Sequence, residues 1–141
     1  MRTNYFLLLI CLCMGIFISC NSENTFKVDD LNGKWNIISV RDEPINLEKM
    51  PFFEFDVAEK KVHGNTSCNI LNSSFETDAN DTGAIKFAMP ISTMMACINL
   101  DTEVKILQVI SEITHVTKGE TLNRINLVDK DGNIMLVLEK I

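Results

Sequence analysis

Basic side chains are in short supply in this sequence, with 13 Lys and Arg against 19 Asp and Glu and a net charge of −6. A protein that grips nucleic acid needs a basic patch to neutralise phosphates, so that class is excluded. A surface this acidic also has no electrostatic route onto an anionic bilayer. Histidine is scarcer still: His63 and His115 are the only two and stand far apart, so no paired-histidine metal motif exists. Serine nucleophile elbows and phosphate loops are absent too. No internal repeat, low-complexity tract or linker marks a second folded domain. Long apolar runs are lacking except for one, at the N-terminus.

That run covers residues 5–18, after a short positive segment whose Arg2 is the only charge among residues 1–19. It is shorter than the ~20 apolar residues of a membrane-spanning helix and reads as the core of a signal peptide. Phe17-Ile18-Ser19-Cys20 places a small residue directly before a cysteine. This resembles the bacterial lipobox, with Phe17 in place of the usual Leu; Cys11 and Cys13 follow the bulky Ile10 and Leu12 and fit it poorly. The expectation is a leader at 1–19, a lipidated Cys20 with a polar tether to residue 30, and one domain at 31–141. Cleavage leaves 12 basic and 19 acidic side chains, a net charge of −7. Several acyl chains on one residue anchor a protein firmly without help from charge. The implied location is the bacterial cell envelope, at the outer membrane, facing either the periplasm or the surface.

Beyond Leu31, apolar residues mostly alternate or form short runs between turn residues, which predicts antiparallel strands. Segments 34–41, 52–57, 60–64, 74–77, 84–88, 121–128 and 133–139 read as strands. Asp131-Gly132 favours a hairpin between the last two. Residues 100–113 break the pattern, with Val104, Leu107, Ile110 and Ile113 at helical spacing and Glu103 in the first turn. That predicts one amphipathic helix packed on a sheet. The fold class is therefore α+β, mostly antiparallel β with one packed helix. The polar stretches 69–74 and 78–83 read as loops and as candidate contact surfaces.

Once the leader is gone and Cys20 carries lipid, Cys68 and Cys97 are the two cysteines left. In an oxidising compartment such a pair most simply forms a disulfide. Closing a loop of this size contributes on the order of 3 kcal/mol. Two separate buried thiols are the alternative.

The residues around these cysteines carry a family resemblance. Gly64-Asn65-Thr66-Ser67-Cys68-Asn69 resembles the Gly-x-x-Gly-Cys-Asn motif of the META-domain (HslJ-like) proteins, with Ser67 where many members have Gly. Thr93-Met94-Met95-Ala96-Cys97 resembles the second motif, Thr-x-Met-Ala-Cys, followed by Ile98 where many members have Pro. Glu103 matches the acidic residue that comes next. Leu31-x-Gly33-x-Trp35 matches the opening motif, and residues 127–138 match a closing Asp-Gly hairpin. The resemblance implies a small barrel-like β-sheet domain with a helix packed on it. It also implies an envelope lipoprotein associated with stress response, with no established catalytic residues.

Sharper chemistries find little support. A Cys–His nucleophile requires a free thiolate beside His63 or His115, and a disulfide removes it. Met94, Met95 and Cys97 are soft ligands suited to copper(I), but methionines beside an apolar helix are more often core filler. Asp129-x-Asp131-Gly132 resembles part of a calcium loop yet lacks its later ligands, so a hairpin turn explains it better. The Asn-x-Ser/Thr triplets at Asn65, Asn72 and Asn80 carry little weight in a bacterial precursor. The expectation is a monomeric, non-enzymatic envelope lipoprotein without metal or cofactor, acting in envelope maintenance or stress tolerance by binding a protein partner. The alternative is a small barrel that carries an apolar ligand.

Overall fold

The computed structural model describes residues 26–98 and 100–141. The leader, the lipobox and Cys20 lie outside the described residues, as does Asn99. A short 3-10 turn at Val28–Leu31 leads into β1 (Gly33–Val40), which is followed by β2 (Glu43–Pro44), β3 (Phe52–Asp56), β4 (Lys61–Asn65) and β5 (Ile70–Asp78). Then come β6 (Asp81–Phe87), β7 (Ile91–Ser92), the helix α1 (Leu100–Ile110), β8 (His115–Lys118), β9 (Arg124–Val128) and β10 (Ile134–Lys140).

Strands β1, β3, β4, β5, β6, β8, β9 and β10 pair antiparallel in that order, and β10 returns to pair with β1. The result is a closed eight-stranded barrel, which removes the open edges of a sheet. The short β2 and β7 add to β1 and β5. Because neighbours alternate in direction, the connections alternate between two ends. One end, here the terminal end, holds the entry to β1, the exit from β10 and the connections 57–60, 79–80 and 119–123. The other, the helix end, holds 41–51, 66–69, the crossover from β6 to β8 that carries β7 and α1, and the hairpin 129–133.

Period-two burial fills the barrel with Trp35 and Ile37 from β1, Phe53 and Phe55 from β3, Leu71 and Phe75 from β5, and Ile85 and Phe87 from β6. Phe53, Phe55, Phe75 and Phe87 pack with ring centroids 6.0–6.5 Å apart, in edge-on and tilted contacts that suit aromatic quadrupoles. In β1 the buried side switches phase between Ile37 and Val40, where the register against β10 shifts. An extra residue in one strand turns the following side chains over, as a bulge does.

The opening motif closes the terminal end. Leu31 is fully buried, Gly33 takes φ +101° to turn the chain into β1, and the Trp35 indole N–H donates to the Leu31 carbonyl at 2.6 Å. A side chain with a Cβ is strained at that φ. Packing reaches back past Leu31: Val28 is buried, and Phe26 meets Trp35 edge-on at 6.2 Å.

Several sequence expectations need correction. The loop expected at 69–74 is largely strand, because β5 starts at Ile70 and pairs with all of β4. The loop expected at 78–83 shrinks to a tight turn around Ala79 and Asn80. The strand expected at 121–128 begins at Arg124, and β8, four residues with one buried side chain, was too short to stand out. Helix α1 ends at Ile110 rather than 113, and its buried face is Glu103, Ile106, Val109 and Ile110. Val104, expected on the inner face, is exposed. Drawing Glu103 inward rotates the helix, so its neighbour Val104 points out.

Gly64 shows how tightly the strands close. A Cβ there would stand 2.8 Å from both the Phe52 carbonyl oxygen and Cδ1 of Phe53. Gly64→Ala is expected to lower unfolding free energy by about 1–3 kcal/mol through forced repacking, read from the urea midpoint.

Candidate functional site

The family motifs that sequence separates converge at the helix end. In the turn between β4 and β5, the Thr66 amide donates to the Asn69 carbonyl at 2.9 Å. The Asn69 carboxamide then bridges three segments. Its Oδ1 accepts from the Thr93 hydroxyl at 2.7 Å and from the Met95 amide at 2.8 Å. Its Nδ2 donates to Glu103 Oε2 at 2.7 Å and lies 3.3 Å from the Met95 carbonyl. Glu103 Oε2 also accepts from the Thr66 hydroxyl at 3.0 Å, while Oε1 accepts from the Ser92 hydroxyl at 3.2 Å. The Thr93 hydroxyl in turn accepts the Ile70 amide at 3.1 Å.

Thr66, Asn69 and Glu103 are all buried. Among the described residues no cation pairs with Glu103. Its carboxylate is instead met by three hydrogen-bond donors and by its place in the first turn of α1, where the helix dipole favours negative charge. Every carboxylate and carboxamide oxygen in this set already has a donor. The arrangement is a brace that ties turn, crossover and helix together.

A disulfide between Cys68 and Cys97, with Cα atoms 6.3 Å apart, adds a covalent tie between the same turn and the crossover. Ser67, standing where many relatives carry glycine, adopts φ +81°. Among the described residues its hydroxyl and Asn65 Oδ1 are buried without a hydrogen-bond partner. The turn thus keeps the glycine conformation while carrying a side chain that resists it.

Outside this brace the crossover is apolar and open to solvent. Met89, Ile91, Met94, Met95, Ile98 and Leu100 are all exposed, Met94 at 99%. Ile70 and Val104 flank them and are exposed as well. The expectation that Met94 and Met95 fill the core is therefore wrong. The reason lies in the backbone: 93–97 is held by Asn69 and the disulfide, and β7 offers only two residues to the sheet, so these side chains have no inward direction.

The remaining chemistry-bearing residues are dispersed. His63 lies on β4 beside Asn72, with Nδ1 2.8 Å from Oδ1. On β8, His115 meets Asp81 at 3.0 Å, distant in topology from the brace. Asp129 spends its carboxylate on the hairpin, accepting from the Asp131 and Asn133 amides at 2.9 Å and from Asn133 Nδ2 at 2.8 Å. Those bonds, the Asn133 side chain's foremost, hold it below the ordinary carboxylate value.

The META domain family model matches residues 28–140. The chain belongs to the META-domain family. Two NMR structures resemble it in fold. One, a protein from Burkholderia xenovorans, shares 15% identity at a TM-score of 0.61, covering 80% of this chain and 85% of that one. The other shares 18% identity at a TM-score of 0.56, covering 77% of this chain and 89% of that one. No curated protein matches the sequence.

Of the META motif residues, Gly64, Cys68, Asn69, Thr93, Met95, Ala96, Cys97 and Glu103 gather at the helix end, whereas Leu31, Gly33 and Trp35 lock the opposite one. In the sequence Thr66 stands only as a motif spacer and Ser92 lies just before the second motif; nothing at either position marks that both hydroxyls serve Glu103. The available signal was a run of polar residues, Asn65 to Asn69, directly after the inward-facing Gly64.

Three outcomes are expected in unfolding experiments. Asn69→Ala leaves Glu103, Thr93 and the Met95 amide short of partners and lowers stability by about 3 kcal/mol in urea. Ser67→Gly relieves the left-handed turn and raises stability by about 1 kcal/mol. Asp81 is held below its ordinary 3.8, first by the hydrogen bond from His115 and then by the Gly83 amide. A depressed carboxylate stabilises the fold above its unfolded value and loses that contribution as pH falls through its folded value. Asp81→Asn should therefore flatten stability against pH below about 4, seen in thermal melts down the acid limb.

Proposed function

We propose that this META-domain protein is a non-enzymatic lipoprotein of the bacterial envelope, anchored through Cys20, that acts in envelope maintenance or stress tolerance by binding a protein partner. The observation that carries the binding reading is the crossover 89–100. Six exposed apolar side chains in one segment are costly to leave in water, and here they sit on backbone fixed from behind by Asn69, Glu103 and the Cys68–Cys97 bridge. A rigid apolar rim needs little ordering on association, which favours a protein interface. The bridged cysteines leave no thiolate for nucleophilic chemistry, and the buried carboxylate is committed to hydrogen bonds. The ligand-carrier reading needs an interior cavity, and the four-phenylalanine cluster occupies that space.

Anchoring is tested by intact mass of protein purified from its own membrane, with acyl chains expected on an N-terminal Cys20. Binding is tested by a photo-crosslinking residue at Met94 in cells. A discrete heteromeric adduct is expected, reduced on the order of tenfold by Ile98→Glu, a loss typical of one interface hot spot. Because Ile98 is fully exposed, its unfolding midpoint should not move. An absent adduct, or one of twice the chain's mass, overturns the heteromeric reading.

A further inference from the structure

The alternating barrel places the start of the described chain at the terminal end, and that end has an apolar feature of its own. The turn between β8 and β9 projects Leu122 wholly into solvent, and Phe26 lines the same open cleft with Lys118, Arg124, Asp30 and Glu120. Ile141, whose amide reaches the Lys34 carbonyl beside the entry to β1, is also exposed there. The charges lining the cleft balance, two basic against two acidic, so net attraction to anionic headgroups is not what this cleft offers. It offers a protruding leucine and a partly covered phenylalanine beside the point where the tether arrives.

The tether is short. Five residues, 21–25, separate Cys20 from Phe26, and six fully extended steps span at most about 20 Å. The eight-residue β1 alone rises about 25 Å, before the strands tilt, and α1 lies across the far end with a width of about 10 Å. Acyl chains at Cys20 therefore keep the terminal end near the bilayer, and the barrel cannot invert to stand on its helix end.

Resting on lipid attachment at Cys20, we infer that the 119–123 turn is a membrane-docking surface: Leu122, beside Phe26, inserts into the interfacial layer of the anchoring bilayer. The barrel stands upright on its terminal end. The apolar rim at 89–98 and 100 then points away from that membrane, toward partners approaching from the aqueous side. One aliphatic side chain in the interface adds modestly to the anchor, and its main effect is to fix orientation.

Acylated protein purified from membranes and reconstituted in phosphatidylethanolamine–phosphatidylglycerol vesicles with brominated acyl chains provides the test. Leu122→Trp and Met94→Trp each add a fluorophore at a fully exposed position, against the background of the single buried Trp35. The Leu122→Trp emission should shift to the blue and fall by about half in brominated vesicles, as expected for a side chain 5–10 Å into the interface. Met94→Trp should behave as it does in unbrominated vesicles. Quenching at position 94, or none above the wild-type background at position 122, overturns the docking surface. Intact mass of the same samples separates the two claims: unquenched but acylated protein defeats the docking alone, and unacylated Cys20 defeats the anchor and the docking with it.

Discussion

The hydrogen bond between Asn69 and Glu103, 2.7 Å long and buried at the helix end of the barrel, is the contact on which the surrounding architecture depends. A buried carboxylate without a cation is tolerable only when donors surround it, and here Thr66 and Asn69 of one turn and Ser92 of β7 supply them. The donors come from the β4–β5 turn and from β7, so satisfying one charge also fixes that turn, β7 and the first turn of α1 relative to one another. Glu103 points inward as a result, Ile106, Val109 and Ile110 follow it onto the barrel, and Val104 is left in solvent. A polar requirement, more than the apolar stripe, sets the rotation of this helix.

Covalent and polar ties act on the same backbone. The Cys68–Cys97 bridge spans a sequence separation of 29 and restrains the unfolded chain, while Asn69 grips the Met95 amide two residues away from Cys97. Together they hold a segment whose side chains, Met94 and Ile98 above all, find no core to enter. The stability lies behind the crossover and the apolar surface in front of it, an arrangement suited to recognition because little conformational entropy is left to lose on binding.

Closure of the barrel separates the two ends of the molecule. Leu31, Gly33 and Trp35 lock one end and the cysteine–asparagine–glutamate cluster locks the other, with the phenylalanine cluster between them. Since every neighbouring pair is antiparallel, the position of each connection follows from strand count alone. Phe26, where the described chain begins, and the exposed apolar crossover fall at opposite ends.

Local sequence determined much of this. Alternation at Phe53 and Phe55 marked a half-buried strand, Asp131-Gly132 marked the hairpin between β9 and β10, and helical spacing after Leu100 marked the one helix. The ordered motifs around Cys68 and Cys97 marked the family. These are signals carried by neighbours in the chain, where period and turn chemistry leave a direct trace. Only the tertiary structure decided that 70–74 is strand, since it pairs with β4 whatever its polarity, and that four residues at His115–Lys118 complete the ring. It alone decided that Met94 and Met95 face water and Val104 faces out, because those directions depend on Asn69 meeting Glu103 across 34 positions of sequence. Contacts between distant segments leave no period to read, and they choose which of two apolar faces is buried.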